Sequence, residues 1–186
     1  MLISKFDITD IAEKIDTFEK EHEIVFPMEY RNFMLRYNGG ETPKTSFRSN
    51  RKTYQLRAFF GIELQAGNYS LNDVHYIDNF IKRGVLPIAV DYFGNYYAVS
   101  LNGETCGSVY FLNHESNYKE KMLFNSFNEL ISASKSEKIG YIPTIEERKQ
   151  KLIANGFGHT LSPEKLAGWQ AEIDRYKDIN QEEVIL

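Results

Sequence analysis

The segment that decides the fold is residues 85–115, which read VLPIAVDYFGNYYAVSLNGETCGSVYFLNHE. Three short runs rich in apolar and aromatic residues alternate here with turn-forming residues, which is typical of paired strands. The first turn is residues 91–95, and the second lies either at Asn102-Gly103 or at Cys106-Gly107, because Gly and Asn tolerate positive φ. The pattern predicts an antiparallel meander at the centre of the protein.

Helical patterns precede this meander. Apolar residues at helical spacing from Ile8 to Phe18 predict an amphipathic helix, and Pro27 opens a second helix that Gly39 ends. Residues 41–50 are polar and predict a loop, whereas residues 53–62 predict a strand. A weak capping box at residues 70–73 predicts a short helix that Gly84 closes.

Three N-terminal caps mark helices after the meander. They are Ser126 with Glu129, Thr144 with Glu147, and Ser162 followed by Pro163. The apolar faces of short helices need burial to be stable, so we expect the extension over residues 137–186 to dock on a core of about residues 8–134. The 186 residues then form a single α+β domain, with a central antiparallel sheet and helices from both ends of the chain packed on it.

The ordered motifs of this chain resemble those of the SUKH superfamily, the Smi/Knr family. The resemblance covers roughly residues 8–134. The motifs that carry it are Leu86-Pro87-Ile88-Ala89, Asp91, Gly94-Asn95, Gly107-Ser108-Val109-Tyr110-Phe111, His114-Glu115, Phe26-Pro27-Met28-Glu29-Tyr30-Arg31, Asn38-Gly39-Gly40 and Ser126-Phe127-Asn128-Glu129-Leu130.

This resemblance implies a protein-binding module. Many bacterial members of the superfamily are immunity proteins that neutralise the toxin of a polymorphic toxin system, often a nuclease, whereas fungal relatives act as regulatory scaffolds. Because the chain is compact, we expect an immunity protein that occludes the active site of a cognate toxin. The regulatory scaffold is the alternative.

Composition limits the remaining possibilities. Hydrophobic residues make up 42% of the chain and no apolar run approaches the ~20 residues that span a bilayer, so no membrane partner is expected. The N-terminus lacks the pattern of a secretion signal, and the single Cys106 excludes an internal disulfide. These features predict a protein of the reducing cytoplasm.

Charge is distributed unevenly along the chain. The net charge is -4, but residues 42–62 contain five basic and no acidic residues, so the remainder carries -9. An acidic body disfavours non-specific nucleic-acid binding and favours a basic partner. The basic residues Lys44, Arg48, Arg51, Lys52 and Arg57 form a rival site, which would suit an acidic toxin or a nucleic acid.

The search for catalytic and metal-binding motifs leaves one candidate set. The chain has no phosphate-binding loop and no nucleophile elbow, and its four histidines are too dispersed to clamp a metal, so neither metal nor cofactor is expected. Asp91, His114 and Glu115 could converge as acid-base groups of a hydrolase or small-ligand binder. Turn capping and strand ends explain the same residues, and we therefore expect no enzyme.

The predicted partner-binding residues lie at turns and strand ends, because such positions stay exposed while strand interiors do not. They are Asp91, Tyr92, Phe93, Asn95, His114 and Glu115.

Overall fold

The computed structural model describes residues 1–64, 69–177 and 179–186. The chain divides into two compact units, of which the first comprises Met1–Lys138 with Gln181–Leu186 and the second comprises Ile139–Asn180. The first unit contains the sheet and the second is helical. Docking of the C-terminal helices on the core stays a prediction.

The first unit is built on one sheet, in which the described part of the chain supplies nine strands. All pairings between these strands are antiparallel. The spatial order is β7-β6-β5-β4-β3-β2-β1-β9, and β8 pairs with β2. The strands are β1 (Leu2–Lys5), β2 (Gly40–Ser49), β3 (Lys52–Phe59), β4 (Val85–Val90), β5 (Tyr96–Ser100), β6 (Val109–Asn113), β7 (Lys119–Phe124), β8 (Lys135–Ser136) and β9 (Glu182–Glu183). The predicted meander is therefore β4, β5 and β6, and the α+β class is confirmed.

The described residues of the first unit form four α-helices beside the sheet. They are α1 (Ile11–Glu21), α2 (Met28–Tyr37), α3 (Ile77–Lys82) and α4 (Phe127–Ala133). The Phe33 ring of α2 lies 4.9 Å from Phe59 of β3 and 5.1 Å from Phe127 of α4, measured between ring centroids. All three side chains are buried, so this aromatic cluster joins the two helices to the sheet.

The prediction of a loop over residues 41–50 is wrong, because these residues form most of β2. Its buried polar side chains hydrogen bond to neighbouring segments. The Thr42 hydroxyl donates to the Leu56 carbonyl (2.7 Å), and the Ser49 hydroxyl donates to the Leu123 carbonyl (2.9 Å). Pro43 lies where the register between β2 and β3 shifts, which is a position that tolerates proline inside a sheet.

The sequence Asn38-Gly39-Gly40 makes the corner between α2 and β2. The buried Asn38 amide donates to the Asp7 carbonyl (2.7 Å) and the Ile62 carbonyl (3.2 Å), while its Oδ1 accepts from the Ile62 N–H (2.8 Å). Gly39 has φ +75°, and a Cβ there would lie 2.4 Å from the Phe60 carbonyl oxygen. Only glycine fits this position.

The second unit contains the helices α5 (Ile145–Ala154) and α6 (Pro163–Tyr176). Thr144 and Glu147 form the predicted capping box, and the Ser162 hydroxyl accepts from the Lys165 N–H. The Arg148 guanidinium of α5 pairs with Glu172 of α6 at 2.6 Å. The sequence therefore placed both helix starts correctly.

Candidate functional site

The turn between β4 and β5 is held by the carboxylate of Asp91. One carboxylate oxygen accepts hydrogen bonds from the backbone N–H groups of Phe93 (2.7 Å) and Asn95 (2.9 Å). The other accepts from the Asn95 side-chain amide at 2.7 Å. Asp91 is only 5% exposed, so its charge is stabilised by these three donors rather than by water. These three hydrogen bonds restrain the turn.

Asn95 connects this turn to the end of β6. Its Oδ1 accepts from the His114 backbone N–H (3.1 Å) and lies 2.9 Å from the His114 Nδ1. Because that oxygen is an acceptor only, Nδ1 carries the proton and donates, and the Nε2 atom of a neutral imidazole is left as an acceptor. The structure thus brings Asp91, Asn95 and His114 into one hydrogen-bonded chain.

Glu115 follows His114 but belongs to a different local arrangement. Its backbone N–H donates to the Asn113 side chain at 2.9 Å, which caps the short 3-10 turn His114–Ser116. The side chains of His114 and Glu115 are both exposed. Among the described residues, hydrogen bonds link Asp91 to His114 through Asn95, and none joins the Glu115 carboxylate to this hydrogen-bonded chain.

Tyr92 and Phe93 occupy the exposed tip of the Asp91 turn. Tyr92 is 47% exposed and Phe93 is 69% exposed, whereas Tyr97 on β5 is buried. Burial raises the pKa of Tyr97, and the nearby Asp91 charge raises it further. The turn therefore exposes two large aromatic side chains, whereas Asp91 of the same turn is buried and hydrogen-bonded.

Arg57 on β3 lies beside the same turn. Its guanidinium carbon is 5.8 Å from the centre of the Tyr92 ring and 5.5 Å from that of Tyr69, which is within cation-π range. A cavity of about 230 Å³ opens here, and Arg57, Tyr69, Asp73, Asp91 and Tyr92 contribute to its lining. Arg57 of the predicted basic segment therefore contacts Tyr92 of the Asp91 turn.

The other basic residues of that segment lie elsewhere. Arg51 is part of the tight turn between β2 and β3, and the exposed Arg48 and Lys52 flank it. Lys52 and Arg57 are five residue steps apart along an extended strand, which is roughly 16 Å. Lys44 pairs with Glu137 at 3.5 Å. The basic segment is therefore not one continuous patch.

The sequence analysis missed a wide apolar groove beside the connection between α1 and α2. This groove has a volume of about 850 Å³ and is lined in part by Ile24, Val25, Met28, Leu101 and Cys106. Val25 and Met28 are each 76% exposed. The signal in the sequence was that neither is among the buried residues of α2, which are Tyr30, Phe33, Met34 and Tyr37.

A scan of family models matches the SMI1/KNR4 family (SUKH-1) over residues 12–133. The chain belongs to this family. The match confirms the resemblance that the sequence motifs indicated. Separate searches of curated proteins and of solved structures found no match.

The SMI1/KNR4 match spans the Asp91 turn, the Arg57 cavity and the Val25 groove. Within the described ranges, no group of three or more histidine, cysteine or acidic side chains is arranged to hold a metal ion. No helix in the described part of this family member combines the length and apolar character needed to cross a bilayer.

Proposed function

We propose that this chain is a cytoplasmic immunity protein that binds and neutralises a cognate polymorphic toxin. Membership of the SMI1/KNR4 family is consistent with that role. The observation that carries the proposal is the pair Tyr92 and Phe93, two aromatic side chains exposed at the tip of a restrained turn. Aromatic side chains dominate the binding energy of many protein interfaces, and a restrained loop loses less entropy on binding.

The proposed mechanism is occlusion of the active site of the toxin. Tyr92 and Phe93 pack against the toxin surface, and the exposed His114 and Glu115 extend the same contact area. Asp91 and Asn95 serve this surface by holding the turn, through the bonds that also position His114. If the toxin is a nuclease, acidic groups of the chain take the place of substrate phosphates in its basic active site.

Occlusion of this kind requires an affinity on the order of nanomolar, or about -12 kcal/mol. A few central anchors supply most of such energy, whereas surrounding contacts exclude water. The chain performs no bond-making in this mechanism. Its aromatic anchors should therefore matter more than the imidazole of His114.

The test is co-expression of the chain with the toxin domain encoded beside its gene. The wild-type chain should protect cells, and Phe93→Ala should weaken binding of the purified toxin domain by about 30-fold, because a hot-spot aromatic is worth about 2 kcal/mol. The control is Phe157→Ala, which removes another aromatic side chain that is 56% exposed. It should retain full affinity.

Two results would count against the proposal. Cell death despite wild-type expression with every neighbouring toxin domain would overturn it. A His114→Ala variant that still binds the toxin but no longer protects would instead indicate a catalytic role for the Asp91, His114 and Glu115 region.

A further inference from the structure

Arg57 combines partial burial, aromatic contacts and an unused donor. Its Nε atom is buried and has no hydrogen-bond partner among the described residues. Among the described residues, no carboxylate lies within ion-pair distance of the Arg57 guanidinium. An unpaired donor of a buried charged group costs free energy, so this arrangement needs an explanation.

The aromatic residues around Arg57 contact its guanidinium but provide no hydrogen-bond acceptor for it. The rings of Tyr69 and Tyr92 contact its guanidinium at 5.5 and 5.8 Å. Aromatic faces attract a cation but cannot satisfy N–H groups that lie in the guanidinium plane. The Nη N–H groups of Arg57 donate no hydrogen bond to the described residues, so they remain available to an anion in the adjoining cavity.

The nearest acidic residues of the cavity are not that anion. Asp91 lines the cavity, but its carboxylate accepts three hydrogen bonds within its own turn. Asp73 also lines the cavity, is exposed, and forms no ion pair with Arg57 among the described residues. Neither acidic residue of the described cavity lining therefore supplies an acceptor to Arg57.

The chemistry of the cavity favours a carboxylate over a phosphate. A guanidinium and a carboxylate are both planar and form two parallel hydrogen bonds. Asp73 and Asp91 add two negative charges to the lining, and these repel a dianionic phosphate more strongly than a monoanion. The volume of about 230 Å³ suits a group the size of one side chain.

We propose that the Arg57 cavity binds a single carboxylate presented by a polypeptide, with Arg57 as its bidentate donor. Only the source of this carboxylate rests on the proposed function: in the complex, an acidic side chain of the toxin enters beside Tyr92. The cavity then fixes the register of the interface, while Phe93 supplies apolar contact.

The test uses the full purified chain and the Arg57 Nε–H signal in ¹H–¹⁵N NMR spectra. The probe is N-acetyl-L-glutamic acid α-methylamide, which carries one side-chain carboxylate, and the matched neutral probe is the corresponding glutamine compound. The acid should shift the signal saturably, with a dissociation constant in the millimolar range, on the order of -4 kcal/mol. The amide should bind at least tenfold more weakly, because it lacks the charge.

Variants separate the cavity from general charge effects. Arg57→Gln should abolish the shift that the acid causes in the Tyr92 ring signals, whereas Arg48→Gln on the neighbouring strand should preserve it. Arg57→Lys keeps the charge without the planar fork and should bind at least several-fold more weakly. This variant keeps the test valid if Arg57→Gln fails to fold.

Equal binding of acid and amide, or tighter binding of inorganic phosphate than of the acid, would overturn the proposal. Binding of the acid combined with full protection by Arg57→Gln against the toxin would remove the toxin as the source and leave the cavity site intact. Failure of wild-type protection would reject the proposed function, while the titration would still decide whether the carboxylate site exists.

Discussion

Asp91 and Arg57 carry opposite charges beside the same cavity, yet their surroundings differ. The Asp91 carboxylate accepts three hydrogen bonds from its own turn, whereas the Arg57 Nε has no partner among the described residues. A charge that is fully bonded inside its element stabilises the fold. A partly buried charge without a bonding partner instead costs free energy and needs a separate explanation.

The difference follows from the local backbone. Asp91 begins a tight turn, and all of its donors lie within four residues, so the sequence of the turn satisfies the charge by itself. Arg57 extends from β3 into a region where Tyr69 and Tyr92 offer ring faces. The comparison contrasts a charge that is hydrogen-bonded within its own turn with one that is not, and the following substitutions test it.

The largest expected effect on stability comes from removing the hydrogen-bonded carboxylate of Asp91. Asp91→Ala leaves two backbone N–H groups and the Asn95 amide without their acceptor, and it should lower the free energy of unfolding by about 3 kcal/mol. Equilibrium urea denaturation measures this change. Asp73→Ala is the control, because Asp73 is exposed, and its effect should stay within about 0.5 kcal/mol. Equal stability of the two variants would show that the turn does not depend on Asp91.

A smaller effect on stability is expected for two fully buried tyrosines, since the hydroxyl of only one of them has a hydrogen-bond partner among the described residues. The Tyr97 hydroxyl donates to the Gln55 carbonyl at 2.7 Å, whereas the Tyr30 hydroxyl has no partner among the described residues. Tyr97→Phe should therefore cost about 1 kcal/mol, and Tyr30→Phe should leave stability unchanged or slightly higher. Thermal and urea unfolding of both variants compare them directly. A larger loss for Tyr30→Phe would contradict the contrast.

The smallest effect on stability is expected at Arg57. Arg57→Met keeps the stem volume and removes the unpaired donor, and this gain offsets the lost ring contacts, so the free energy of unfolding should change by less than about 1 kcal/mol. Urea denaturation measures the change. A loss as large as that of Asp91→Ala would mean that Arg57 stabilises the fold and would remove the contrast.

The sequence predicted those parts of the fold whose signals are local. The turns of the meander and the caps Thr144 and Ser162 are determined by residues a few positions apart, and the structure has them. Strand β2 was missed because its buried positions include Thr42 and Ser49. Their hydroxyls are satisfied by distant carbonyls, which an apolar periodicity cannot reveal.

As for the fold, the sequence predicted those features of the candidate site that depend on local signals. The exposure of Tyr92 and Phe93 follows from their position in a turn, whereas the contact of Asn95 with His114 was not predicted, since the sequence pointed to Asp91, His114 and Glu115 instead. The aromatic surroundings of Arg57 could not be predicted from the sequence, because its ring neighbour Tyr69 comes from a separate segment. In the sequence, Arg57 was one basic residue among five.

Strand β9 has a consequence for how the chain can vary. Leu2 pairs with Glu183 of β9, and its backbone N–H donates to the Ser136 hydroxyl at 2.9 Å. The segment 139–180 therefore departs from and returns to the sheet beside a single residue, as an insertion does. Because the entropy of closing a loop grows only slowly with its length, a change in the length of this segment costs the pairing of β9 little through loop closure alone.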